Sequence, residues 1–151
     1  MSAGFSVRLC RILNAPPDRV WDAWTRPKLM RRWFCPLGMQ VAELEADLRV
    51  GGTFRVVMDP LGSPLQPPPE LGKYLVAYGR YQRVEKPGEL EFTWAWEQRD
   101  EISRVRISIT PVRGGTELVL CHDGLKDEAS RLFHEDGWKP TLDNLELALK
   151  S

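Results

Sequence analysis

The chain holds two imidazoles, His122 and His134, and they are the first places to look for chemistry. His122 shares its strand parity with Leu118 and Leu120, so it points inward near the end of a strand. A lone inward histidine can act as a general acid or base whose pKa burial has moved. The commoner role is a hydrogen-bonded core or rim residue, and that reading is favoured here. His134 sits one helical turn before Trp138 on the same face. It is expected to pack against the sheet end or stack on that indole. Neither a serine nor a cysteine nucleophile stands at a useful spacing from an acid, so no residue is assigned as catalytic. Two histidines do not suffice for a His-rich metal site, and no metal or other cofactor is expected.

The other chemically informative set is aromatic. Trp33, Phe54, Tyr78, Phe92, Trp94, Trp96 and Trp138 could line an apolar pocket, where rings give large contact area with few rotamers to freeze. They could equally fill the core. The small residues Ala42 and Ala46, read as inward, leave room on one side and keep the pocket reading open. With Met58, His122 and Leu142 added, these are the candidate ligand-binding residues. The acidic row Glu43, Glu45 and Asp47 falls on one face of a strand, the solvent side, and lacks the cleft that paired carboxylates need. Arg31-Arg32 and the series Arg104, Arg106 likewise read as solvated faces.

Positioning these groups requires a sheet and a helix. Trp138, Leu142, Leu145 and Leu149 stand at i, i+4, i+7 and i+11, one apolar face of a C-terminal helix, with Lys139, Asp143, Asn144, Glu146 and Lys150 largely opposite. Pro140 deletes the bond to the Asp136 carbonyl, so a bend or a fresh start is expected between Asp136 and Pro140. Asp127 is a candidate N-cap. Upstream, Phe5 to Asn14 reads as a strand of ambiguous facing. Pro16-Pro17 then opens a short helix carrying Val20, Trp21 and Trp24, and Pro27 opens a second, with Leu29, Met30 and Trp33. From Gln40 the period is two. Ala42, Leu44, Ala46 and Leu48 alternate with acids, Gly51-Gly52 turns the chain, and Phe54, Val56 and Met58 face inward. Residues 60–71 hold five prolines and are expected to form an exposed, locally stiff loop. Lys73 to Val84 resumes the sheet. Leu90, Phe92, Trp94 and Trp96 share one face of the next strand. Val105, Ile107 and Ile109 follow after a hairpin, and Gly114-Gly115 turns into Leu118, Leu120 and His122.

Composition narrows the partners. Lys plus Arg and Asp plus Glu are 21 each, for zero net charge, which gives no reason to expect nucleic acid. There is no signal-peptide core and no apolar run long enough to span a membrane. Three cysteines, Cys10, Cys35 and Cys121, show no CxxC spacing, so a reduced, cytoplasmic chain is expected.

The order strand, two short helices, six strands, long helix is that of the helix-grip fold. Ala15-Pro16-Pro17 through Val20-Trp21-Ala23, Arg32-Trp33 with Pro36 and Gly38, and the run from Asp47 to Phe54 carry the first half of a resemblance. Leu90 to Trp94, Gly114-Gly115-Thr116, His122, His134 to Trp138 and Leu142 to Leu145 carry the second. Over essentially its whole length the chain resembles the AHSA-type family, named for the activator of a heat-shock protein ATPase. That family lies within the START-related (SRPBCC), birch-allergen-like superfamily. The resemblance implies an α+β domain over 1–151, a curved antiparallel sheet of about seven strands wrapped round the C-terminal helix. It also implies a cavity between sheet and helix for a lipid, polyketide or other small apolar molecule. The alternatives it implies are a cyclase- or hydrolase-type enzyme using the same cavity, or a stress-related, chaperone-interacting protein. From its inward parity, His122 with an acidic or tyrosyl partner is the residue such an enzyme would use here. Homodimerisation through the exposed sheet or the proline-rich loop is a further expectation.

Overall fold

The computed structural model describes residues 4–63, 72–97 and 99–150. The elements follow in the order β1 (Phe5–Leu13), α1 (Pro17–Thr25), α2 (Pro27–Met30), β2 (Gln40–Ala46), β3 (Thr53–Asp59), β4 (Leu75–Glu85), β5 (Glu89–Trp96), β6 (Ile102–Val112), β7 (Gly115–Leu125) and α3 (Glu128–Leu149). The seven strands form one antiparallel sheet in the order β1-β7-β6-β5-β4-β3-β2. Each strand from β2 to β7 is a neighbour of the next, and only β1 crosses over, to close against β7. This is the α+β helix-grip architecture, with two short helices between the first strand and the rest.

Strict alternation gives the sheet its dry face. Phe54, Val56 and Met58 on β3, Leu90, Phe92, Trp94 and Trp96 on β5, Val105, Ile107 and Ile109 on β6, and Leu118, Leu120 and His122 on β7 are all buried. Against this face lie α1, with Val20, Trp21 and Trp24 buried, and α3, with Trp138, Leu142, Leu145 and Leu149 buried. Asp127 caps α3, its carboxylate accepting from the Ser130 N–H at 2.8 Å.

The facing of β1 is resolved by a charge. Val7 and Leu13 are buried, and Arg11 on the same parity reaches out to α3. Its guanidinium donates to Asp143 at 2.9 Å, to Glu146 at 2.6 Å and to the Lys139 carbonyl at 3.2 Å. Arg11 thus ties the first strand to the last helix.

Three sequence expectations are corrected. The helix does not restart at Pro140: α3 runs unbroken over its 22 residues. One lost backbone bond is tolerated because the segment is held from its flanks. Trp138 and Leu142 are buried, and the Pro140 carbonyl accepts from the Leu37 N–H at 3.1 Å. Ala42 is exposed rather than inward. A bulge between Val41 and Glu43 inserts it unpaired and breaks the alternation there. Asn144 is half-buried, not on the wet side, and its amide donates to the Trp33 and Cys35 carbonyls at 3.2 and 3.3 Å. Of the proline-rich stretch, residues 64–71 lie outside the described residues. Among the described residues no helix is long and apolar enough to cross a membrane.

Candidate functional site

Between the middle of α3 and the inner face of β3–β5 lies an apolar cleft. Its floor is Met58, Leu75, Trp94 and Trp96 from the sheet, and its roof is Phe133, His134, Gly137, Trp138 and Thr141 from α3. Phe34, Cys35 and Pro36, in the loop after α2, close one end. That loop is fastened to α3 by the Asn144 amide and the Leu37–Pro140 bond. The cavity volume is about 40 Å³. Since one water needs at least roughly 10–15 Å³ of such space, it holds a few water-sized atoms.

The polar groups behind this cleft form two short hydrogen-bonded chains. The Trp138 indole N–H donates to His122 Nδ1 at 2.9 Å, and His122 Nε2 lies 2.7 Å from Ser103 Oγ. Ser103 in turn donates to the Trp94 carbonyl at 3.3 Å. Since Nδ1 accepts, Nε2 must carry the proton and donate to the serine. In the second chain the Trp96 indole donates to His134 Nε2 at 3.0 Å, and His134 Nδ1 donates to the Ser130 carbonyl at 2.7 Å. The two imidazoles are therefore opposite tautomers, 4.7 Å apart between ring centres at an interplanar angle of 72°. Glu101 braces the start of α3, accepting from Ser130 Oγ at 2.8 Å and from the Lys126 N–H at 2.9 Å.

This arrangement decides what the histidines can do. Burial, reinforced by the neighbouring His134, holds the His122 pKa well below that of a free imidazole. Burial also lowers that of His134, with Arg99 adding to the fall and the Ser130 carbonyl and Glu101 opposing it. Each lone pair is occupied by an indole N–H, so neither ring can take a proton without breaking that bond. A serine nucleophile needs its histidine partner to accept from Oγ. Here His122 donates to Ser103, the inverse of a working dyad. The hydrogen bonds make these rings part of the core's polar framework. Cys35, also against the cleft, has its thiol pushed up to about 11 by burial, away from the reactive thiolate. Among the described residues no group of three or more His, Cys, Asp or Glu is placed to hold a metal.

Of the ten candidate ligand-binding residues, Met58, Trp94, Trp96 and Trp138 line the cleft. Phe54 and Phe92 pack edge to face one layer behind, at 5.3 Å between ring centres. Trp33 is buried under α1, its indole donating to the Ala23 carbonyl at 2.9 Å, and Leu142 is fully enclosed in the core. His122 stands behind Trp138. Tyr78 is on the other side of the sheet, 41% exposed. The parity of Leu75, Ala77 and Tyr81, all buried, carries the inner face of β4 and leaves Tyr78 outside. Sequence reasoning missed Phe34, Cys35, Pro36, Leu75, Phe133, His134, Gly137 and Thr141 as lining residues. The spacing of Phe133, Gly137 and Thr141, four apart, marks one helical stripe and was the available signal.

An open antiparallel sheet gripping one long helix defines the START-related (SRPBCC) class of folds. Within it, residues 14–150 match the family model described as Activator of Hsp90 ATPase homolog 1-like protein, and the chain belongs to that family. Among solved structures, a Chromobacterium violaceum protein is similar at 25% identity and a TM-score of 0.82, with 97% of this chain and 98% of that one covered. The AHSA1 protein of Silicibacter pomeroyi is similar at 26% identity and a TM-score of 0.82, over 97% and 100% of the two chains. CalU16 from Micromonospora echinospora is similar at 26% identity and a TM-score of 0.68, over 95% and 75%. No curated protein matches the chain.

Proposed function

We propose that this protein binds a small hydrophobic or aromatic molecule in the cleft between the sheet and α3. The observation that carries the reading is the cleft itself. Three indoles, a methionine and two phenylalanines converge on unfilled space beside a helix, at the place where the fold class leaves room. The 40 Å³ volume sets a limit on how the guest enters. One ring edge or the end of an acyl chain fits the inner space, and the rest of a larger ligand would lie outside it. Met58 is the adaptable part of the floor, an unbranched thioether that re-packs at little cost. The saturated histidines favour binding over acid–base chemistry at these two rings. A chaperone-interacting role has no comparable feature in the described residues to support it.

Tryptophan emission reports the site directly, because three of the six indoles line it. Titration with naphthalene, oleate and cholesterol tests the reading. A saturable change with at least one of them is expected, strengthened in Met58→Ala, which enlarges the floor. No change with any of the three, in either the natural protein or Met58→Ala, overturns it.

A further inference from the structure

We infer that the cleft selects uncharged single-ring molecules carrying one hydrogen-bond acceptor, with the indole N–H of Trp94 as the group that reads the acceptor. The inference rests on the binding role proposed above and names the ligand class. It starts from an inventory of polar atoms on the wall. The Trp96 and Trp138 N–H groups are spent on His134 and His122. Both nitrogens of His134 are engaged, and the Thr141 hydroxyl donates to the Gly137 carbonyl at 2.7 Å. Trp94 differs. It lines the cleft, is 5% exposed, and its Nε1 is buried with no acceptor among the described residues.

A buried donor left without a partner is costly, and folds retain one where something else supplies the acceptor. Trp24 Nε1 is likewise unpaired, but Trp24 does not line this cleft, so only Trp94 can be served by a guest there. No Asp, Glu, Lys or Arg is among the lining residues. Arg99 stands with its guanidinium 5.9 Å from the centre of the Phe133 ring, outside that lining. A carboxylate entering the cleft therefore gives up its hydration with no cation on the wall to receive it. A neutral ketone, ether or ring nitrogen loses far less and gains the Trp94 N–H. An aromatic body suits the rest, since the lining is itself largely aromatic, with Phe34, Trp96, Phe133 and Trp138 beside Trp94.

Three probes of one size separate the terms: acetophenone, ethylbenzene and benzoate at pH 8. Acetophenone is expected to bind roughly threefold to tenfold more tightly than ethylbenzene, the range of one neutral hydrogen bond, with benzoate the weakest. In Trp94→Phe the gap between acetophenone and ethylbenzene should vanish, whatever the change in the affinity for ethylbenzene itself. Independently of that variant, the Trp94 indole N–H resonance of the natural protein should move downfield with acetophenone and not with ethylbenzene. Benzoate binding as tightly as acetophenone, equal affinity for the two neutral probes, or a gap that survives in Trp94→Phe each overturns the inference while leaving a binding cleft in place. Failure of all three probes to bind where naphthalene, oleate or cholesterol does bind overturns this inference alone; failure of both sets of probes removes the function it rests on as well.

Discussion

Acid should loosen this protein through its two buried imidazoles, and the size of the effect can be worked out. In the folded chain both rings are neutral and accept an indole hydrogen bond, His122 from Trp138 and His134 from Trp96. Both folded pKa values are depressed, chiefly by burial. In the unfolded chain each ring titrates near 6.5. Below that value the unfolded state binds more protons, so stability is fully present above about pH 7 and falls as the pH drops. A ring that stays neutral in the fold contributes about 1.4 kcal/mol of loss between pH 7.5 and 5.5. His122, fully enclosed, should deliver nearly all of that, and His134 a smaller share. Glu97 and Glu128 have pKa values lowered further below their already acidic range, so they contribute little in this window. Urea unfolding at half-unit steps of pH measures the slope, and the variant His122→Gln should flatten most of it. A stability unchanged or increased on going from pH 7.5 to 5.5 would refute the reasoning. So would an imidazole resonance of His122 titrating at or above 6.5 in the folded protein.

Two glycines should respond in opposite directions to alanine. At Gly79 a Cβ would meet the Thr93 carbonyl oxygen at 1.9 Å, so Gly79→Ala is expected to cost about 2 kcal/mol or more in denaturant unfolding. At Gly137, inside α3, a Cβ meets nothing within 4 Å, and alanine should stabilise by about 0.5–1 kcal/mol while narrowing the cleft it lines. Trp138→Phe keeps the ring packing but leaves His122 Nδ1 without its donor. It should cost about 1–3 kcal/mol in the same assay.

How much of this was legible beforehand depended on whether a local rule or a tertiary contact decided the outcome. The inner faces of β3, β5, β6 and β7 follow period two without interruption, and the apolar stripe of α3 follows 3.6, so those elements and their facing read directly from residue type. Asp127 as the cap and the proline-opened α1 are local chemistry of the same kind. The failures have one cause each. The bulge at Ala42 is set by pairing with β3, which no local signal announces. The continuity of α3 through Pro140 depends on Leu37 and on the buried neighbours of the break. Tyr78 was drawn inward by its aromatic character, whereas its strand parity places it outside. The site was harder to read than the fold. That His122 is inward follows from parity, but that its free nitrogen is occupied by Trp138, sixteen residues away on another element, follows only from the packing.

The six indoles allow the central claim to be tested in one spectrum. Ethylbenzene added to protein labelled with ¹⁵N should shift the indole N–H resonances of Trp94, Trp96 and Trp138, which line the cleft, in a saturable way. Trp21, on α1 and away from that lining, should stay in place. Shifts confined to Trp21, or six resonances that stay where they are up to the solubility of the probe, would mean that the space between the sheet and α3 does not take a guest.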